Sequence, residues 1–398
     1  MSKLKILISG AGLGGLCLAQ ALYGRGADVR VFERDKSIRD RPQGYRLHID
    51  SHGVGALHYA LPPDVYRLFD GTAMKAQQFT TIVDMALEVQ RSVPCDEHSG
   101  THSETHVNVS RVTLRQILLA GLSDIVHFGK SAVGYESDDD GVTLHFDDGT
   151  SERGDLLIAA DGMWSPLRAQ RVPQAQVMDA GVRAIYGRLP IDAARTYMPR
   201  QAMEDIFTVA ISPDKVYLGL GPVIYPERPE VVGARLAEGL LTPEDDYGIF
   251  IAGGRKEHFE QSDDELETMS GPKLQKVALT LMKDWPEAAR NIPAHGDPDS
   301  CFFIKMFSSV PCEMPRSPNV TMLGDAIHGM TPSLGRGANT AMRDAAVLGR
   351  HLEDVLAGRK SLPATLAAYE DEMTAYAFDV VRGSAAMGAR LMGQNPLP

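Results

Sequence analysis

Apolar positions run unbroken through Lys5-Ile6-Leu7-Ile8-Ser9, stop at Gly10, Gly12, Gly14 and Gly15, then recur at helical spacing (Leu16, Leu18, Ala19, Ala21, Leu22) as far as Tyr23. Val29-Arg30-Val31-Phe32 is a second extended run, closed by Glu33. This predicts strand, glycine turn, helix over 16–23, strand, acid. Further along, residues 44–50 read as a short strand and 52–60 as a helix stopped by Pro62-Pro63. Thr80 to Val93 reads as one long strand or a pair, and the polar stretch from Cys95 to Glu104 as a loop or linker. Ser110 opens a helix to about Leu122, and strands follow at 125–128, 132–137 and 142–146, with the Asp148-Gly149 pair marking a hairpin turn.

Asp155-Leu-Leu-Ile-Ala-Ala160 and Asn319-Val-Thr-Met-Leu323 are fully apolar, as strands buried on both faces of a parallel sheet are. Between Gly181 and Gly254 the character changes. β-rich runs at 181–189, 205–211, 216–223 and 247–252 are separated by Pro, Gly and Asp, which predicts an inserted sheet. Residues 271–289 read as helix and 301–310 as the strand leading back. Helices are expected over 336–356, with Ala338, Ala341 and Ala345 on one face, and from Ser361 onward, with Pro363 in the first turn.

A chain of 398 residues exceeds one small core and suggests two domains or one elaborated domain. A net charge of −12 opposes binding to nucleic acid or anionic membrane, both polyanions. No run of apolar residues is long enough to span a bilayer. The two lysines and apolar run near the N-terminus resemble a signal peptide, but the run is broken by glycines and is needed as the first strand. Cys17, Cys95, Cys301 and Cys312 form no CxxC pair, so no zinc site or disulfide framework is expected. A cytoplasmic protein with reduced thiols and no metal is the expectation.

Three constellations carry chemistry. In the first, Gly10 makes a tight turn, Gly12 lets backbone approach a pyrophosphate, and Gly15 lets the helix lie close on the strand. The helix N-terminus offers unpaired N–H groups to phosphate. Glu33 lies eighteen residues after Gly15, near the roughly 20 expected, where a carboxylate accepts from a ribose hydroxyl pair. In the second, Asp161-Gly162 follows a buried strand, which places an acid at the carboxyl edge of the sheet. An Asp-Gly turn with Ser165 as helix cap is the plainer reading of that stretch. In the third, Gly324-Asp325 follows another buried strand and leads through Pro332, Gly335 and Gly337 into a helix, a second N-terminal anion site. Two acids and two helix N-termini on one sheet suit a long, two-part ligand.

With these three motifs in this order, the chain resembles the class A flavoprotein monooxygenases, the family of para-hydroxybenzoate hydroxylase, salicylate hydroxylase and the tetracycline-inactivating monooxygenases. The resemblance covers nearly the whole chain. It implies an α/β fold: a Rossmann-like FAD-binding domain of the glutathione-reductase type (1–75, 104–180 and 300–360), an inserted β-sheet substrate domain (76–103 and 181–299), and a C-terminal long helix (361–398). It implies bound FAD, transient NADH or NADPH, and O2. FAD would be cradled by Gly10, Gly12, Leu13, Gly14 and Gly15, with Glu33 and Arg34 at the adenosine ribose. Arg46 and His48 would approach the flavin ring. Arg111, with Arg115 as neighbouring candidate, matches the arginine that contacts FAD, and Asp161 and Asp325 match the acids of the second and third motifs. Backbone N–H groups from Gly335 and Gly337 through Ala338 and Asn339 would face the flavin N1–O2 edge.

The implied activity is NAD(P)H- and O2-dependent hydroxylation of an aromatic or polycyclic small molecule through a flavin C4a-hydroperoxide, with the flavin swinging at Pro42 to Tyr45. Epoxidation, Baeyer–Villiger oxidation and reduction on the same fold remain alternatives. So does a non-catalytic dinucleotide binder, which would have no need of the third motif. Tyr186, Phe207, Tyr217, Phe303, Met306, Met330 and Pro332 are the candidate substrate contacts. His328 is a candidate base, with a structural role as the plainer reading. Arg336 departs from the family pattern and either stabilises anionic reduced flavin or points to solvent. The sequence chooses neither the substrate nor the nicotinamide cofactor, and leaves monomer and homodimer open.

Overall fold

Five of the apolar runs become one parallel sheet in the computed structural model, which describes residues 3–38, 40, 44–95 and 106–398. The order is Val320–Met322, Leu156–Ala159, Lys5–Ser9, Asp28–Glu33, Val126–Phe128. Every neighbouring pair is parallel. Lys5–Ser9 lies in the middle, buried on both faces from Ile6 onward, which is why it reads as continuous rather than alternating. The helix Leu13–Tyr23 crosses from it to Asp28–Glu33 and begins three residues earlier than the apolar spacing suggests.

The long helix Gly337–Leu356 lies against Leu13–Tyr23. The alanine face foreseen on it allows this. A Cβ on Gly14 would stand 3.1 Å from the Ala341 carbonyl, and one on Gly349 3.4 Å from Ala21 Cβ.

The inserted sheet has seven strands, in the order Asp297–Ser309, Val177–Pro190, Tyr247–Arg255, Tyr217–Val223, Asp205–Ile211, Gln77–Val83, Val89–Pro94. It is antiparallel except where Asp205–Ile211 meets Gln77–Val83. Ile185, Ala210, Leu218, Phe250 and Ala252 point to one face and share a core with Leu274, Ala278 and Ile292 from covering helices. Tyr186, Phe207, Val209, Ile251 and Ile304 point to the other. A small antiparallel sheet of Arg46–Ile49, Val107–Ser110 and Met74–Lys75 stands beside this second face.

Several elements differ from expectation for local reasons. Pro63 starts the helix Pro63–Thr72 as well as following the end of Ser51–Ala60, because a first-turn proline forgoes no hydrogen bond. The helical run 271–289 is two helices, Gly271–Leu281 and Glu287–Ala294, with Pro286 capping the second. Thr80 to Val93 is a hairpin pair. Val107–Ser110 and Ser151–Gly154 were too short to stand out. Most of the linker read from Cys95 to Glu104, and Pro42 and Gln43 of the proposed swinging loop, lie outside the described residues. Among the described residues no helix is long and apolar enough to cross a membrane.

The C-terminal helix Leu362–Met392 is fastened by a buried ion pair. Arg171 Nη2 donates to Glu370 Oε1 at 2.8 Å, with side-chain exposures of 3% and 2%. Arg171 Nε donates to the Val320 carbonyl and Thr321 Oγ1 to the same Glu370 oxygen. Removing Arg171 leaves the buried Glu370 with only Thr321 and the more exposed Arg316, 3.7 Å from its other oxygen, so Arg171→Ala is expected to lower stability by about 3 kcal/mol, read from urea denaturation. A loss within the range of ordinary surface substitutions would show that the helix is held some other way.

Candidate functional site

The first strand delivers the chain into Gly10 at φ +110, where a Cβ would collide with the Ala160 carbonyl of the neighbouring strand. A Cβ on Gly15 would collide with the Gly10 carbonyl, and one on Gly14 would stand 2.8 Å from Leu323 Cδ1. The protein's own packing therefore requires glycine at Gly10 and Gly15, which meet backbone, while at Gly14 the nearest atom is the end of a leucine side chain and the Ala341 carbonyl stands at 3.1 Å. Gly12 is different: a Cβ there meets no atom within 4 Å. It caps the helix Leu13–Tyr23 without any side-chain bond, and the first turn carries no acid. The first-turn N–H groups are thus left to a ligand, and a bare backbone at Gly12 gives one close approach.

Glu33 is drawn back over this turn. Its Oε2 accepts from Ala11 N at 2.8 Å and its Oε1 from Asp35 N at 3.0 Å. Arg115 lies 3.4 Å from the same carboxylate and donates Nε to the Ala11 carbonyl at 3.0 Å. Both side chains line the cavity while holding the turn's shape.

Asp161 leaves the end of Leu156–Ala159 with neither carboxylate oxygen in a well-formed hydrogen bond, though both are buried. Burial pushes its carboxyl up to about 6, against the pull of Ser165 and Arg168. A buried carboxylate left this way is aimed at something the chain does not itself supply.

The third motif is organised from below. Gly324 takes φ +63 ahead of Asp325, and its N–H donates to Asp344 Oδ2 at 2.8 Å. His328 Nε2 lies 2.5 Å from the same oxygen, and Tyr376 donates to Oδ1 at 2.6 Å. His328 is fully buried and does not line the cavity. Burial alone would push its imidazole down, but Asp344 outweighs that and the net direction is up. Its place is therefore under the turn, holding it, and the base role has no route to a ligand. Asn339 works in the same way. It accepts from Asp50 N at 2.9 Å and donates to the carbonyls of His48 at 2.9 Å and Gly335 at 3.1 Å. It stitches Arg46–Ile49 to the helix N-terminus and does not face the cavity.

The three motifs open on one cavity of about 770 Å³. Gly10, Gly12, Leu13, Gly14, Gly15, Glu33, Arg34, Arg46, His48, Arg111, Arg115, Asp161, Asp325, Gly335, Gly337 and Ala338 line it. So do Tyr186, Phe207, Met330 and Pro332. Tyr217, Phe303 and Met306 do not. Phe303 sits on the helix-covered face of the large sheet, and its neighbour Ile304 takes the cavity side. Side chains alternate along a strand, so a one-residue error in parity exchanges the faces. Tyr217 and Met306 lie on the correct face but are buried in the cluster beneath it.

Arg46 reaches from the small sheet over Phe207, bonding Asn108 and the Ile206 carbonyl while its Nε stays buried and unbonded. Burial brings its guanidinium down to about 9. Arg111 is densely surrounded yet reached by solvent through the cavity. Burial pushes its guanidinium down and Asp325 opposes the shift. Arg336 is half-buried, outside the cavity lining, close enough to His48 to disfavour its protonation. Thr80, Lys130, Trp164, Ile249 and Ile251 also line the cavity and were not foreseen. Ile249 and Ile251 share a parity that strand alternation predicts once Tyr186 is placed, since Tyr186 pairs with Ile251. Lys130 and Trp164 lie in turns with no sequence signal.

The residues present fit a dinucleotide: an open glycine at a helix N-terminus, an acid at a ribose distance in sequence, and an orphaned buried carboxylate. A family model described as an FAD binding domain matches residues 3–234 and 280–384. A dual O-methyltransferase/FAD-dependent monooxygenase of Cercospora beticola is 32% identical over 98% of this chain and 47% of its own length. An FAD-dependent urate hydroxylase of Klebsiella pneumoniae is 32% identical over 91% of this chain and 85% of its own. The chain spans less than half the length of the first curated relatives it matches. Among solved structures, Klebsiella pneumoniae HpxO in complex with FAD and uric acid superposes with a TM-score of 0.76 at 25% identity, covering 98% of this chain and 89% of that one.

The orphaned acid sets a pH dependence. A carboxyl raised on folding adds a destabilising anion, whose penalty is absent below the unfolded value near 4 and complete above the folded value. Ligand-free protein is expected to lose roughly 2 kcal/mol between about pH 4 and pH 7 that Asp161→Asn does not lose. Parallel denaturation series of the two proteins measure this, and coincident pH profiles would show that Asp161 is not buried unpaired.

Proposed function

The chain belongs to the family of FAD-dependent monooxygenases, and from that premise we propose that it hydroxylates an aromatic small molecule, using FAD, a reduced nicotinamide nucleotide and O2. The observation that carries this reading is the single continuous cavity. One end is the glycine turn, with Gly12 open and its helix N-terminus unoccupied by any side chain. The other is the apolar face of the large sheet, with Tyr186, Phe207, Ile249, Ile251 and Ile304.

FAD, when bound, supplies hydride acceptance and oxygen activation. The chain's residues do the rest. Backbone N–H groups at Gly12 to Gly14 would hold the pyrophosphate, and the helix dipole would add to that attraction. Glu33 accepts from the adenosine ribose, already oriented by Ala11 N and Arg115. Asp161 and Asp325, at two strand ends, line the cavity where they would hold the hydroxyl-bearing part of the cofactor. The Gly335 to Ala338 backbone, held by Asn339, would offer N–H donors to the flavin ring and so stabilise negative charge on it. Arg46 and Arg111 add positive potential to the same wall. The large sheet then excludes water and orients a flat, apolar substrate, as ligand pockets generally do. Tyr186 stacks on Phe302 at 5.4 Å, and burial pushes its phenol up to about 12. It stays protonated at neutral pH and can donate to a polar group on the substrate.

Two glycine variants separate the ligand from the fold. Gly12→Ala meets no protein atom, so it is expected to keep the fold and its melting temperature in the flavin-free state while losing FAD. Gly15→Ala meets the Gly10 carbonyl and is expected to lower stability whether FAD is present or not. The visible absorption spectrum and far-UV dichroism read both. Purified protein is expected to show flavin bands and to oxidise NADH or NADPH in air faster when a phenol or polycyclic aromatic is added. Protein that is colourless and does not take up FAD would overturn the reading.

A further inference from the structure

Beside the cavity, three strands bring metal-type donors to one point. His48 belongs to Arg46–Ile49, His106 immediately precedes its partner strand Val107–Ser110, and Cys95 follows Val89–Pro94. Gln78 fixes two of them. Its carbonyl accepts from Cys95 N at 2.8 Å, and its side chain brackets the His106 backbone, accepting from N and donating to O, both at 3.0 Å. The donor atoms of the three side chains all lie within 4.8 Å of one another. His48 Nε2 is 2.6 Å from His106 Nδ1, while the ring centroids are 4.8 Å apart and the planes 24° from parallel. With the nitrogens that close and the centroids that far, the rings meet edge to edge and do not overlap face to face. Their nitrogens face each other almost in line, and Cys95 Sγ lies within 4.8 Å of both.

We propose that His48 Nε2, His106 Nδ1 and Cys95 Sγ form a binding site for a divalent transition ion of the Zn²⁺ type. Two imidazoles and a thiolate make an N2S set, suited to Zn²⁺ and unsuited to Ca²⁺ or Mg²⁺, which take oxygen ligands. Ion–nitrogen bonds of about 2.0–2.1 Å and an ion–sulfur bond of about 2.3 Å require the two nitrogens to part by less than about 1 Å and both rings to turn toward Sγ as it closes in, movements of side-chain rotation. Three protein ligands leave the fourth position to water. Binding replaces the Cys95 S–H bond by an S–metal bond and releases that proton. Each imidazole stays neutral, with its N–H on the nitrogen that does not bind.

For His48 the non-binding nitrogen is Nδ1, which stands 3.5 Å from the position of a Cβ on Gly335. The ion therefore fixes His48 in the tautomer that presents an N–H to the glycine loop, and strengthens it as a donor. That consequence rests on the flavin reading. The ion site does not.

The test uses flavin-loaded protein freed of metal by a chelator and titrated with Co²⁺, then with Zn²⁺. The expected result is one ion per chain after gel filtration, tetrahedral d–d bands to the red of flavin absorption, and about one proton released per ion in weak buffer. Cys95→Ser and His106→Gln are each expected to weaken binding by more than the roughly 10- to 100-fold that losing an outer hydrogen-bond partner costs. Cys312→Ser is expected to leave it unchanged. If either ligand variant fails to fold, protection of Cys95 from alkylation by Zn²⁺ in the unaltered protein, mapped by mass spectrometry, replaces it. Substoichiometric Co²⁺, or binding that Cys95→Ser leaves intact, would overturn the site and leave His48 and His106 as a hydrogen-bonded pair only. Neither result depends on turnover, so failure here is distinct from failure of the monooxygenase reading.

Discussion

At Gly15 the first helix comes so close to the first strand that only a hydrogen atom fits between it and the Gly10 carbonyl. Gly10 is pressed in turn against Ala160 of the next strand, and Gly14 against the long helix Gly337–Leu356. These contacts fix the distance between three strand ends and two helix N-termini. Interiors are close-packed and do not yield by tenths of an ångström without cost. The position of Asp161 relative to the glycine turn, and of the Gly335 loop relative to both, follows from this one set of approaches.

Four acids of the site and its supports differ in what they face. Glu33, Asp344 and Glu370 each face a cation or several donors within the chain. Their work is structural: a turn held closed, a motif held up from below, a terminal helix fastened to the sheet. Asp161 alone of these has no well-formed partner, and burial raises its carboxyl accordingly. A protein retains such a group against its own stability where a bound molecule satisfies it.

The apolar end of the cavity obeys a different rule. The seven-stranded sheet is covered by helices on one face and open to the cavity on the other, so each strand assigns its residues by parity. Tyr186 and Phe207 fall toward the cavity and Phe303 away from it. The small sheet carrying Arg46 and His48 closes the remaining side, and its strand Val107–Ser110 is what brings His106 to His48. Polar and apolar halves of the site are thus positioned by two sheets that share little sequence neighbourhood.

The sequence by itself determined the parallel sheet, the glycine turn with its acid, the inserted sheet and the two further acids at strand ends. These are local signals: hydrophobic period, glycine spacing, a carboxylate directly after a buried strand. They were enough to name Gly10, Gly12, Gly15, Glu33, Asp161, Asp325, Gly335 and Gly337 among the residues that line the cavity, while Arg46, His48, Arg111 and Arg115 came from the family resemblance. Only the tertiary structure decided which glycines the packing requires and which it leaves open, because Gly12 and Gly15 differ in what lies opposite them. It alone turned His328 and Asn339 from site residues into supports, through bonds to Asp344 and to the His48 carbonyl. It also placed Trp164, Lys130 and the cluster of His48, Cys95 and His106, which are joined through space across strands. A one-dimensional pattern records the spacing of residues along the chain. It does not record strand parity between sheets or the partner a buried group meets.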